Sequence, residues 1–273
     1  MIRYDQISPR EPLSDYIEDY VFVQGNQHIT KTITPQTEIS LVFDFQRSSL
    51  LKNQRFNVAV VGLHDHEFGL DSVALANDKL LIRLSPYGLT KLTGVSSRLI
   101  FNQIVDAAEV FGEEVNNLYE QLKYMDSNKQ RITYVEAFLL KRLQTPSASD
   151  ELIFELAEKI RQDPYHFSLA NLKKALPLSP RQIERKFKAL IGTNMQSYLR
   201  LARFEKAKSL LESNQFTRLT DIGYEAGYYD QAHFSSEFRK LAGVAPKSYD
   251  PCSVDQIFKS GPNVAAIQFL TSN

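Results

Sequence analysis

The chain has 273 residues, 43% of them hydrophobic and 23% charged, and its 32 Lys+Arg balance its 32 Asp+Glu. That length exceeds the usual single domain and points to two, each able to bury its own core. No apolar run approaches the roughly 18 residues of a membrane-spanning helix, Met1-Ile2-Arg3-Tyr4-Asp5 is unlike a signal peptide, and the one cysteine, Cys252, excludes an intrachain disulfide framework and a cysteine-rich zinc site. A cytoplasmic protein is expected.

From Tyr20 to about Pro86 the pattern is strand-like. Tyr20 to Val23, Glu38 to Phe45, Asn57 to Val61 and Leu80 to Leu84 are short runs rich in Val, Ile, Phe and Leu, separated by the turn residues Gly25-Asn26, Asn53 and Asn77-Asp78. After Ser85-Pro86 the period changes. Helices are predicted from Pro86 to Thr93, around Ser97 to Val105, from Glu113 to Met125 and from Asn128 to Leu143. The polar, proline-containing stretch Gln144-Thr145-Pro146-Ser147-Ala148-Ser149 marks the junction. Residues 1–145 then form one domain, 150–250 a second, and 251–273 a tail with a strand-like run from Val264 to Leu270.

Ser149 or Asp150 is placed to cap a helix running to about Gln162, which Asp163-Pro164 ends. Ser168 caps a short helix to Ala175 or Leu176, and a turn through Pro177-Leu178 leads to Ser179. Ser179 and Gln182 make a capping box, Pro180 takes the first helical position and Gly192 the stop. Ile183, Phe187 and Leu190 build one apolar stripe, leaving Arg181, Glu184, Arg185 and Lys188 turned away from it. Helix, short turn and capped helix is the outline of a helix-turn-helix.

Asn194 then begins a long helix to about Ser213, roughly 28 Å at the usual rise per residue, with Arg200, Arg203, Lys206 and Lys208 as its basic remainder. The unit recurs. Thr220 to Ala226 forms a short helix, Gly227 a turn, and Asp230 caps a helix to Leu241, where Phe234, Phe238 and Leu241 repeat the buried stripe. Charge follows the same division: from Tyr165 to Tyr249 there are 14 Lys+Arg against 7 Asp+Glu, a net of +7, so the remainder sums to −7. A basic module joined to an acidic one suits binding of a polyanion, although a merely basic surface gives the same count.

Over roughly Tyr165 to Tyr249 the chain resembles the AraC/XylS family of transcriptional regulators. The matching residues are Ser179 to Gly192, Tyr198-Leu199 with Arg203 and Ala207, Leu210-Leu211, Asp221 to Tyr228, His233 to Lys240, Gly243-Val244-Ala245-Pro246 and Tyr249. The resemblance implies an α+β chain: a β-rich N-terminal domain with attached helices and an all-α C-terminal domain of two helix-turn-helix subdomains joined by the long helix. It implies that the second helix of each subdomain enters one of two successive major grooves, which lie roughly 34 Å apart on one DNA face.

By motif position, Arg181, Glu184 and Arg185, with Lys188 beside them, are expected to serve in the first reading helix. Arg forks onto guanine and Glu accepts from cytosine. In the second helix the candidates are Asp230, Gln231, Ala232, Ser235, Ser236 and Arg239, with Gln231 suited to adenine, Ala232 to the thymine methyl, and Ser235 and Arg239 to phosphates. Three departures stand out: Pro177 and Gly223 occupy positions where the family commonly has glycine and alanine, and Asp250 one where a basic residue is common.

The N-terminal domain is expected to sense an effector or to dimerise. Tyr20, Phe22, Phe43 and Phe45 are candidates for lining an effector pocket, and plain core is their alternative role. His64-Asp65-His66-Glu67 lies between Gly62 and Gly69 without a third spaced ligand and reads as a polar loop rather than a metal site. No metal, cofactor or catalytic residue is assigned; Cys252 has no partner base and is expected to pack. The expected partner is double-stranded DNA, with RNA polymerase, a small-molecule effector, a partner protein and a second copy of the chain as further candidates, and no membrane. The alternative is an enzyme with an appended DNA-targeting module, using His64 and His66.

Overall fold

A computed structural model describes residues 3–24, 32–45, 56–66, 68–69, 78–167, 177–213 and 218–249. Strands β1 (Arg3–Ile7), β2 (Ile17–Gln24), β4 (Ile39–Asp44), β5 (Val58–Val61), β7 (Lys79–Leu84) and β8 (Ile104–Asp106) form one antiparallel sheet in the order β1-β2-β7-β4-β5-β8, and β3 (Thr32–Ile33) pairs with β6 (Phe68–Gly69). Alternation puts Tyr20 and Phe22, Ile39, Leu41 and Phe43, Val58 and Val60, and Leu80, Ile82 and Leu84 into the core. The registers also bring Asp44 opposite Lys79 and Asp19 opposite Arg83, and both cross-strand pairs are buried ion pairs.

Helices α1 (Gly88–Thr93), α2 (Ala108–Phe111), α3 (Glu114–Leu122) and α4 (Asn128–Leu140) complete this N-terminal domain. A C-terminal helical domain follows: α5 (Ala148–Gln162), α6 (Pro180–Ile191), α7 (Met195–Ser213), α8 (Leu219–Glu225) and α9 (Gln231–Ala242). The four strands expected from residue runs are present. Two placements differ. The helix expected around Ser97 to Val105 is a 3₁₀ turn over Ser97–Ile100 and then β8: Asn102 takes a left-handed φ of 58° that ends helical winding, and Val105 pairs with Val60 at the sheet edge. Ser147, rather than Ser149 or Asp150, caps α5, because its side chain accepts from the Asp150 N–H three residues on. The helix expected from Ser168, the tail from Pro251, Asp250 and Cys252 lie outside the described residues.

The two domains share a substantial seam. Tyr87 stacks on Phe154 of α5 at 4.3 Å between ring centroids. From α7, Glu205 accepts from the backbone N–H of Thr37 at 3.0 Å and from its hydroxyl, and Lys208 donates to the Thr34 hydroxyl. Arg161 of α5 lies 3.1 Å from Glu18 of β2. Lys208, expected in the basic remainder of the long helix outside its apolar stripes, is buried against the N-terminal domain.

Candidate nucleic-acid interface

Each candidate reading helix is defined by its ends. In α6, Ser179 accepts from the Gln182 N–H while the Gln182 side chain accepts from the Ser179 N–H at 2.9 Å, so two otherwise orphaned donors are satisfied reciprocally. Gly192 closes the helix at φ +106°, its N–H donating to Lys188 O. In α9, the Asp230 carboxylate accepts from the His233 N–H at 2.7 Å, and Gly243 closes the helix at φ +68°.

Between these ends, one face of each helix is buried. Ile183, Phe187 and Ile191 are buried in α6; Leu190, expected in that stripe, is only half-buried because the register delivers Ile191 to the core one position later. Phe187 meets Tyr198 of α7 edge to face at 5.6 Å. In α9, Phe234, Phe238 and Leu241 are buried as expected, and Phe238 packs on Phe204 of α7 at 5.0 Å. Helix α7, 19 residues long, thus meets α6 near its start, at Tyr198, and α9 at its middle, at Phe204.

The opposite faces are open. Arg181, Glu184, Arg185 and Lys188 are all exposed on α6 and present three cations and one carboxylate. Lys186 on the same helix faces α5 instead, 2.6 Å from Asp150. Burial works against ionisation of Asp150, and the hydrogen bonds from Lys186 and Ser147 outweigh it, holding the carboxyl below its ordinary 3.8. On α9, Asp230, Gln231, Ala232, Ser236 and Arg239 are exposed and Ser235 is half-buried. Asp230 uses its carboxylate as the helix cap, and Gln231 accepts from the Thr220 hydroxyl of α8 at 2.7 Å.

Sequence reasoning missed His233. It is exposed between Gln231 and Ser236, with its ring edge-on to Tyr228 at 5.5 Å, and the helical period was signal enough, since position 233 precedes Ser236 by three. The Gly223 departure also has a physical reason: a Cβ there would meet the Phe234 side chain at 3.2 to 3.3 Å.

The remaining candidates are used elsewhere. Tyr20, Phe22 and Phe43 are packed in the sheet core, and Phe45 is stacked with Tyr119 at 5.9 Å beneath the Arg131 guanidinium. A cleft of about 410 Å³ lined by Leu92, Thr93, Val110, Phe111 and the segment from Lys141 to Gln144 includes none of these four aromatics. The His64 ring is fully buried and places its nitrogens 3.0 and 2.9 Å from the carbonyl oxygens of Gly62 and Thr34, while the exposed His66 faces Asp65 at 3.3 Å. Among the described residues no group of three His, Cys, Asp or Glu side chains is placed to hold a metal, and no helix is long and apolar enough to cross a membrane.

Two capped helices of matched burial, mounted on one connecting helix and each showing a polar or cationic face, have the arrangement of a tandem helix-turn-helix unit. Residues 172–250 match the helix-turn-helix domain family, and residues 5–106 match a family described as a domain of unknown function. The chain is similar to the arabinose operon regulatory protein of Escherichia coli (strain K12), 26% identical over 149 residues, which are 52% of this chain and 50% of that protein. It is also similar to the HTH-type transcriptional activator RhaR of Yersinia pseudotuberculosis serotype O:3 (strain YPIII), 32% identical over 84 residues, 31% of this chain and 29% of that one. It thus spans about half the length of the first of these relatives and less of the second. Among solved structures, ToxT from Vibrio cholerae covers 91% of this chain and 97% of its own, at 13% identity and a TM-score of 0.44. Residues 172–250 thus match a helix-turn-helix domain, and the chain is similar over part of its length to transcription regulators.

Proposed function

We propose that the protein is a sequence-specific transcription regulator that inserts α6 and α9 into successive major grooves. One observation supports this above the rest: two helices with similar buried stripes turn unburied faces outward from a common 19-residue helix. About 28 Å of helix plus the widths of the packed readers suits grooves one turn apart. In this reading Arg181, Glu184 and Arg185 contact base edges and Lys188 a phosphate; Gln231, Ala232, His233 and Ser236 face the second groove, and Arg239 its backbone.

The N-terminal domain, which we place at residues 1–145, receives an effector or a partner chain and passes its state to the readers through the seam at α5, α6 and α7. No described cluster favours the enzyme alternative, since His64 is engaged by backbone carbonyls and His66 by Asp65. The test is selection of bound fragments from random duplex DNA by the purified chain, with and without metabolite extract. A two-part site with half-sites one helical turn apart supports the reading. Binding without base preference, or a single short site, overturns it.

A further inference from the structure

The last carbonyls of a helix have no partner within it and must find one outside. In α6 the Gly192 N–H serves Lys188 O, and the next two carbonyls are served from the other domain. Ser96 donates its hydroxyl to Ala189 O at 2.7 Å, and Thr90 donates its hydroxyl to Leu190 O at 3.1 Å.

These donors sit on a fixed platform. Thr90 belongs to α1, whose first residue, Gly88, lies so close to the sheet domain that a Cβ there would stand 2.3 Å from Tyr16 O. The Thr90 and Ser97 hydroxyls are 3.1 Å apart, which orients the pair. Ser97 is buried, and its carbonyl would lie 3.1 Å from a Cβ at Gly192, so the 3₁₀ turn closes directly over the end of the reading helix. Two hydroxyls on two successive carbonyls fix the C-terminal end of α6 against the N-terminal domain, in addition to its buried stripe and the Lys186–Asp150 pair.

Among the described residues the second reader has no equivalent. The described side-chain bonds of α9 run to Thr220, and to Arg200, which lies 3.9 Å from Glu237 and 3.6 Å from Asp65 of the N-terminal domain. Its connection to that domain passes through one long, flexible side chain among the described residues.

We propose that Ser96 and Thr90 are positioning residues for the first reading helix: the N-terminal domain sets how α6 meets its groove, and it does not set α9 in the same way. This inference rests on the reading of α6 as a DNA reader. Base edges are recognised by paired hydrogen bonds of fixed direction, so a helix free to rotate loses discrimination between bases before it loses phosphate contacts.

The experiment uses the full chain and the DNA site selected as above, measuring affinity for every single-base change in both half-sites. The S96A/T90V variant is expected to lose about 5-fold or more of its discrimination between bases in the α6 half-site, within the range that one good paired contact supplies. Discrimination in the α9 half-site stays within about 2-fold, and the conservative S96T and T90S variants, which keep the hydroxyls, keep the profile. Should the double variant fold poorly, S96A alone, at a half-buried serine, carries the same test. A lower melting temperature with both base profiles unchanged, or equal loss in both half-sites, overturns the inference and leaves Ser96 and Thr90 as stabilising caps. R185A separates the underlying reading: if it changes no base preference, α6 is not a reader and the positioning proposal falls with it.

Discussion

The two reading helices share a plan and differ in how they are held. Both have an acceptor side chain at the N-terminus, a left-handed glycine at the C-terminus and a stripe of buried aromatic and aliphatic residues against α7. Helix α6 is also tied at three further places: to α5 through Lys186 and Asp150, and to the N-terminal domain through Ser96 and Thr90. Its open face holds Arg181, Arg185 and Lys188, whereas on α9 Glu237 is bonded to Lys240 and Asp230 adds a second carboxylate. One reader is anchored and cationic; the other is more nearly neutral and held chiefly by its own core. Similar sequence motifs are therefore set in unequal surroundings.

The largest effect that probes this difference comes from the buried stripes. Phe187 and Phe234 are both fully buried, and replacing either by Ala should cost about 3–5 kcal/mol, the usual range for an emptied aromatic site. F187A should disturb the α6 carbonyls seen by Ser96 and Thr90, while F234A should leave the seam intact. Hydrogen exchange at α1 and at the 3₁₀ turn distinguishes them: faster exchange there in F187A alone agrees with the comparison, and equal acceleration in both contradicts it.

Next in size is direct readout. R185A should weaken binding to the selected site by about 1–3 kcal/mol and relax preference at one base. Ser236, at the corresponding open face of α9, has a single short hydroxyl, and S236A should cost less than about 1 kcal/mol. Titrations at several salt concentrations give a second measure: loss of Lys188 as a phosphate contact lowers the salt slope by about 1. If S236A outweighs R185A, α9 is the dominant reader and the inequality runs the other way.

The anchor to α5 has a pH signature. The folded Asp150 carboxyl lies below its ordinary 3.8, so its contribution is fully present above the unfolded value and is lost as pH falls through the folded one. The melting temperature of D150N should therefore lie below that of the unsubstituted chain at pH 6, and the gap should narrow progressively as pH falls below 3.8. A gap that does not change as pH falls below 3.8 would mean that Asp150 acts through packing and not through its charge.

Much of this was legible in the chain itself. Ser179, Pro180, Gln182 and Gly192 marked both ends of α6, and the runs at Glu38 to Phe45 and Leu80 to Leu84 marked central strands, because caps and alternation are local rules. What was hidden was non-local. Nothing near Ser96 or Thr90 says that they will meet carbonyls some hundred positions later, and Lys208 reads as one more of the long helix's basic remainder until Thr34 comes beside it. The segment from Ser97 to Val105 failed for the same reason: its apolar spacing suits a helix, and only the free edge of β5 makes Ile104 to Asp106 a strand. On α9, His233 was within reach of the period alone, whereas the hold of Thr220 on Gln231 needed the fold.

The smallest expected effect lies inside the second unit, at Gly223. Alanine in a helix interior is favoured over glycine by about 1 kcal/mol, so propensity alone predicts that G223A stabilises the protein. Here the added methyl would lie 3.2 Å from Phe234 Cβ and 3.3 Å from its ring, closer than a relaxed contact, and Phe234 is fully buried against Phe238 and Tyr228 with little room to retreat. Overpacking a core site typically costs about 1–3 kcal/mol, enough to offset the propensity gain. We therefore expect G223A to leave the midpoint of urea unfolding unchanged or slightly lowered. The glycine lets α8 approach α9 closely, and since α9 is held chiefly by this core, any shift of Phe234 should also appear as altered base preference in the α9 half-site while the anchored α6 half-site stays as it was. A clear rise in the unfolding midpoint would show that the ring yields freely and that the close fit is not what holds the second reader.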